Sequence, residues 1–253
     1  MATGNLNLLE WLREHSVTYQ LDVMAVFRRT GQHPWPLVAA DERELAQQLA
    51  DGGHLLPLPK EPAALANVLE VSIVDFVLQH LDEVPGAAAR RGTERGYPDI
   101  EVSGSAFGGG YHAVDVKIAR RAASGRSTES RITLYTGNSY FRYPSLRFPG
   151  TFRPFQDYAS HLDIVGVYTF SPDSPARVEE LELVVHPAWR IGSHKRSSTT
   201  REYIGAVTLI DDLRDGRGEF QTAEEFYQFW RAFDFRITKQ VQRQLDKLLA
   251  DQQ

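Results

Sequence analysis

The chain has 253 residues, 42 % of them hydrophobic and 24 % charged, with 28 Lys and Arg against 33 Asp and Glu for a formal net charge of −5. A chain of that length buries roughly three quarters of its unfolded surface, and the composition excludes collagen-like, low-complexity and mostly disordered chains. With no cysteine present, disulfide scaffolds, thiolate zinc sites, iron–sulfur clusters and cysteine nucleophiles are excluded as well.

Taken in chain order, the pattern opens with a short amphipathic helix near Leu8 to Arg13. Its Leu8, Leu9, Trp11 and Leu12 are interrupted by Glu10, Arg13 and Glu14, and no apolar run approaches a membrane span. The expectation is a cytoplasmic protein without a membrane partner. A second helix starts from about Asp41 and ends at Gly52 and Gly53, and a long one follows Pro62. In that helix Leu65, Leu69, Ile73, Phe76 and Val77 form one stripe and Val71, Val74, Leu78 and Leu81 another, so it is buried on most sides. Asp99 to Ser103 and Ala113 to Ile118 read as a β-hairpin around Gly108-Gly109-Gly110. Further strands are expected at Arg131 to Thr136, Ile164 to Phe170, Glu180 to Val185 and Ile204 to Ile210. Two helices close the chain. Thr222 with Glu225 forms a capping box ahead of Phe226, Phe229, Trp230 and Phe233, and Ile237 to Leu249 carries Val241, Leu245 and Leu248 at helical spacing. No repeat or long linker divides the chain, which reads as one α/β (α+β) domain over 1–253.

Charge is unevenly spread. From Arg90 to Arg153 there are 11 basic and 5 acidic residues, so this window is net positive while the rest is strongly negative. One basic working surface on an acidic body accounts for this, as does a solvated arginine-rich loop region. Within the window, strand alternation puts Asp115 and Lys117 on one face of their strand and Val114, Val116 and Ile118 on the other. A turn centred near Phe107 sets Asp99 opposite Asp115, where paired residues stand about 5 Å apart at Cβ. Two carboxylates that close repel each other, and a divalent cation with hard oxygen ligands, Mg²⁺ above all, relieves this best. Glu70 lies among apolar residues of the long helix and needs an arginine, a metal or a gap to solvent.

The pattern Pro98-Asp99, then Asp115-Val116-Lys117, resembles the PD-(D/E)xK nuclease motif, and a longer stretch resembles the EcoRV type of type II restriction endonuclease. That stretch comprises Ile132-Thr133-Leu134 with Gly137 to Phe141, Pro154-Phe155-Gln156-Asp157-Tyr158, Gly166-Val167-Tyr168-Thr169, Gly218-Glu219-Phe220, Glu224-Glu225-Phe226 and Phe229-Trp230-Arg231. The resemblance implies a restriction-endonuclease-like core, a mixed β-sheet flanked by helices, with residues 1–60 as a helical dimerisation region. It implies catalytic roles for Asp99, Asp115, Lys117 and Glu70, with Asp99, Asp115 and Glu70 as ligands of Mg²⁺, and a homodimer cutting both strands of a short palindrome in double-stranded DNA to blunt ends. By position it makes Ser193 to Glu202 the recognition loop. There Lys195, Arg196, Ser197, Ser198, Thr199, Thr200 and Arg201 supply phosphate contacts, and Arg201 or Arg196 supplies a guanine contact. This basic cluster departs from the family's glycine- and asparagine-containing loop, so no target sequence carries over. Thr93, Glu94 and Arg95 stand at the family's minor-groove loop, and Asn138 and Ser139 at backbone phosphates. A structure-selective or repair nuclease on the same core and an inactive DNA-binding module are the competing readings.

Overall fold

A computed structural model describes residues 6–21, 40–44, 46, 62–93, 96–172, 174, 177–198, 202–235 and 239–251. Helix α1 (Leu8–Ser16) begins where the Asn7 side chain accepts hydrogen bonds from the Leu9 and Glu10 amides, two donors that a first helical turn leaves open. Residues 42–44 and 46 are helical, and the rest of the helix expected from Asp41 lies outside the described residues. The long helix, α2 (Pro62–Asp82), runs as its apolar stripes predict, although Val71 is exposed, so one side of it meets solvent.

Eight strands follow among the described residues: β1 (Ala88–Arg91), β2 (Ile100–Ser103), β3 (His112–Arg120), β4 (Thr133–Thr136), β5 (Ser160–Phe170), β6 (Val178–Pro187), β7 (Gly192–Arg196) and β8 (Tyr203–Ala206). Five of them form a mixed sheet in the order β1-β2-β3-β5-β6, and three form a smaller sheet in the order β4-β8-β7. In the larger sheet β3 and β5 are parallel and the other neighbours antiparallel. Ile100 pairs with Val114 and Val102 with His112, which centres the β2–β3 turn on Phe107 as its glycines predict. Gly104, Gly108 and Gly109 there have positive φ, a backbone conformation that costs side-chain-bearing residues about 1–2 kcal/mol.

Alternation along the strands builds two cores. Val114, Val116, Ile164 and Val185 pack against Leu8, Trp11 and Leu12 of α1 and Ile73, Val74 and Val77 of α2. On the opposite face Ala113, Ala119, Val165 and Val167 pack against Leu134, Tyr135, Ile204 and Ala206 of the small sheet and against Phe226 and Trp230. Both faces of β3 are therefore covered. The expected split into an apolar face and a charged face holds only in part, because the charged positions lie between layers and Asp115 is just 4 % exposed.

After β8 the chain departs from expectation. The strand expected from Ile204 to Ile210 stops at Ala206, and Ile210 opens α3 (Ile210–Asp215). Its apolar run suits a strand, but Asp211 and Asp212 in the first turn and Gly216 at φ 62° after the last turn are helix-end features. Helix α4 (Ala223–Ala232) follows with the expected cap, Thr222 accepting from the Glu225 amide, while the Glu225 carboxylate accepts from Gln221. Helix α5 (Lys239–Asp251) ends the chain.

One core histidine makes the fold sensitive to acid. His161 stacks on Phe155 at 3.9 Å between ring centres and lies 2.7 Å from the Tyr97 hydroxyl. Burial pulls its pKa down to about 3, while an unfolded chain takes up the proton near pH 6.5. Stability held by the neutral ring is thus intact above pH 6.5 and falls as pH drops toward 3, by up to about 1.4 kcal/mol per pH unit. Urea titrations between pH 7 and 4 should show this slope in the wild type and a shallower one in His161→Phe; equal slopes would refute it.

Candidate active site

Asp99 follows the cis Tyr97–Pro98 bond and immediately precedes β2. Strand β3 runs on to Arg120, so beyond Val114 it has no β2 residue opposite. The two aspartates fill that gap in the ladder. An Asp99 carboxylate oxygen accepts from the Val116 amide at 2.7 Å, and the Asp99 amide donates to Asp115 Oδ1 at 3.4 Å. Register thus places the two carboxylates face to face.

Lys117, two residues along the same face of β3, forms an ion pair with Asp115. Burial alone would depress its ammonium, but Asp115, Asp99 and Asp163 outweigh this and hold the pKa above the ordinary value. Burial, reinforced by Asp115 and opposed by Lys117, pushes the Asp99 carboxyl up to about 8. Glu70 comes from α2 to the same cleft. Burial raises its pKa, Lys117 opposes the rise and Asp115 adds to it. All four predicted residues line one cleft of about 520 Å³, together with Tyr97, Arg131, Tyr135, Tyr140 and Tyr203.

A fifth ionisable residue was not predicted. Asp163 on β5 is in parallel register with Asp115 and has no exposed surface. Both of its carboxylate oxygens lack a hydrogen-bond partner. Burial, then Asp115 and Asp99, raises its pKa well above the carboxylate range, against the pull of Lys117. The signal that could have revealed it is a lone acid inside the run Leu162 to Phe170, which otherwise reads as a buried strand.

The donor set fits a hard divalent cation. Mg²⁺ takes one or two protein carboxylates and fills its other positions with water and phosphate oxygens, and Asp99 and Asp115 offer such a pair in the lining of the cleft. Among the described residues no three histidine or acidic side chains surround one point.

The residues expected to touch DNA are placed unevenly. The expected loop from Ser193 begins as β7, because Gly192 and Arg196 pair with Ala206 and Ile204 of β8. Glu219 pins this strand, accepting from the Ser193 hydroxyl at 2.9 Å and the His194 amide at 2.5 Å. Lys195 is exposed. Arg196 is half-buried and ion-paired with Glu202 at 3.1 Å, and the Ser197 hydroxyl is 2.6 Å from that of Thr133. Ser198 is half-buried and Thr93 exposed. Glu94, Arg95, Thr199, Thr200 and Arg201 lie outside the described residues. Asn138 and Ser139 fall in a single π-helical turn, Gly137–Phe141, with their side chains outside the description. No described helix is long and apolar enough to cross a membrane.

Compared with curated proteins one by one, the chain has no match. The family model described as restriction endonuclease EcoRV matches residues 32–251, which includes both sheets, the cleft and the C-terminal helices. The chain belongs to the EcoRV family of restriction endonucleases, phosphodiester hydrolases that act on DNA.

Proposed function

We propose that the protein is a Mg²⁺-dependent, site-specific endonuclease that works as a homodimer, cuts one phosphodiester in each strand of a short palindrome in double-stranded DNA and leaves blunt ends. The observation that carries this reading is the convergence of Asp99, Asp115, Lys117 and Glu70 from three separate segments on one cleft. Asp99 and Asp115 would hold Mg²⁺, with Glu70 as a further ligand or a tuning charge across the cleft. When bound, the ion polarises the scissile phosphate and lowers the pKa of a water molecule.

The chain's own groups do the rest. Lys117, held cationic by its acidic neighbours, stabilises the charge that develops on the phosphate and orients the attacking water. Tyr97, Leu134, Tyr135 and Tyr140 wall the cleft on the side of the small sheet. Charges held against these walls act more strongly than they would in open water.

Lys195, Arg196, Ser197 and Ser198, with Thr199, Thr200 and Arg201, form one DNA-contacting segment in this reading. Thr93, Glu94 and Arg95 form a second, and Asn138 and Ser139 touch backbone phosphates. Residues 1–60 contribute the dimer contact, and two-fold protein symmetry matches a two-fold DNA site. Incubation with long DNA and Mg²⁺ tests the proposal. Discrete fragments sharing one blunt terminal sequence are expected; a smear, or preference for junctions and flaps over linear duplex, would overturn it.

A further inference from the structure

Asp163 is a buried acid that neither the ladder nor the core accounts for. Strands β3 and β5 are parallel with Asp115 beside Asp163, so both side chains leave the same face of neighbouring strands about 4.8 Å apart. The other β5 residues buried on this face are His161, whose ring nitrogen lies 2.7 Å from the Tyr97 hydroxyl, and the apolar Val165 and Val167. An apolar residue would suit position 163 by the same packing. The position instead holds a carboxylate with no exposed surface and no hydrogen bond on either oxygen. The charges acting on it are Asp115, Asp99 and Lys117, and Lys117 is already paired with Asp115. A buried acid without a partner is among the costliest arrangements a fold can carry. The missing positive charge has an evident place, the Asp99–Asp115 pair.

We propose that Asp163 is a positioning residue of the cation centre. Standing beside Asp115 and outside the lining of the cleft, it raises the pair's affinity for a divalent cation without itself touching the ion or the substrate, since a cation on the pair is the nearest place for the counter-charge that its two orphaned oxygens lack. The proposal rests on the reading of Asp99 and Asp115 as cation ligands. It accounts for an acid at a position where valine would suit the packing.

The test uses the full chain as wild type, Asp163→Asn, Asp163→Leu and Asp115→Asn, without DNA. Terbium is titrated and its luminescence excited through tyrosine, since Tyr97, Tyr135 and Tyr140 line the cleft. The rise in melting temperature with Mg²⁺ is a second readout. Both Asp163 variants should bind terbium about tenfold or more weakly, as expected for losing a charge near the ion at low effective dielectric. They should also gain less from Mg²⁺, while melting at a higher temperature than the wild type in its absence. A purely structural role predicts the opposite change in the ion-free protein. Terbium titrations in both variants that overlay the wild type would overturn the proposal and leave the ligand reading standing, as would loss of fold in both. Sensitised emission that is equally strong in Asp115→Asn would overturn the ligand reading and this proposal with it.

Discussion

Replacing Lys117 by alanine is expected to slow DNA cleavage by about 10²–10⁴-fold, the usual cost of losing a group that stabilises developing charge or manages a proton. Lys117 is three-quarters buried and paired with Asp115, with Asp99 adding to the field that keeps it charged. Its removal leaves these carboxylates without their nearest cation, so the ion-free variant should also lose stability. Breaking a buried pair from one side costs about 3–5 kcal/mol. Asp115→Asn is the informative companion. It should slow cleavage as severely, but it removes one of the crowded charges and so should not share the stability loss. Single-turnover cleavage, DNA binding at fixed salt and thermal melting of both variants separate these effects. Cleavage by Lys117→Ala at the wild-type rate would place the active site elsewhere.

The second large effect is expected from a residue without a side chain. Gly92 directly follows β1 and donates its amide to the Asp99 carbonyl at 2.7 Å. A Cβ added there would stand 2.0 Å from the Pro98 carbonyl oxygen and 3.2 Å from Asp99 Cα. That oxygen belongs to the backbone and cannot swing aside, so Gly92→Ala must push the Pro98-Asp99 segment out of place. Overpacking of this kind costs about 1–3 kcal/mol, and displacing a reacting group by about 1 Å can cost about 10²-fold in rate. Urea denaturation should show the lowered midpoint, and single-turnover cleavage the slower rate. A variant with unchanged rate and midpoint would show that the backbone at position 92 does not hold Asp99 in place.

Local pattern made part of this architecture legible before any coordinates. The β2–β3 hairpin could be read because its glycine turn and two short arms leave one register, and that register sets Asp99 against Asp115. Glu70 could be read from an acid interrupting apolar stripes. Pairings between distant segments leave no such trace. The parallel contact of β3 with β5 has no local signature, so Asp163 stayed hidden. The polar residues at the start of β5, Ser160, His161 and Asp163, also break the apolar run, and the strand begins four residues before the expected Ile164. Strand β1 escaped notice for a related reason. Ala88 to Arg91 has no apolar alternation, and only its pairing with β2 makes it a strand. The polar sequence from Ser193 to Arg196 reads as loop, yet β8 and the grip of Glu219 make it sheet.

The same β1 forms the outer margin of the larger sheet. It is four residues long and ends in Arg90 and Arg91, both exposed. Their guanidinium groups turn toward the body of the fold, Arg90 over the Phe152 ring at 3.5 Å and Arg91 onto Asp75. Short, cationic margins of this kind are poor templates for backbone pairing with another chain. Fusion of two protomers into one continuous sheet along this margin is therefore disfavoured, and so is runaway fibril growth from it, which directs any self-association to other surfaces of the molecule.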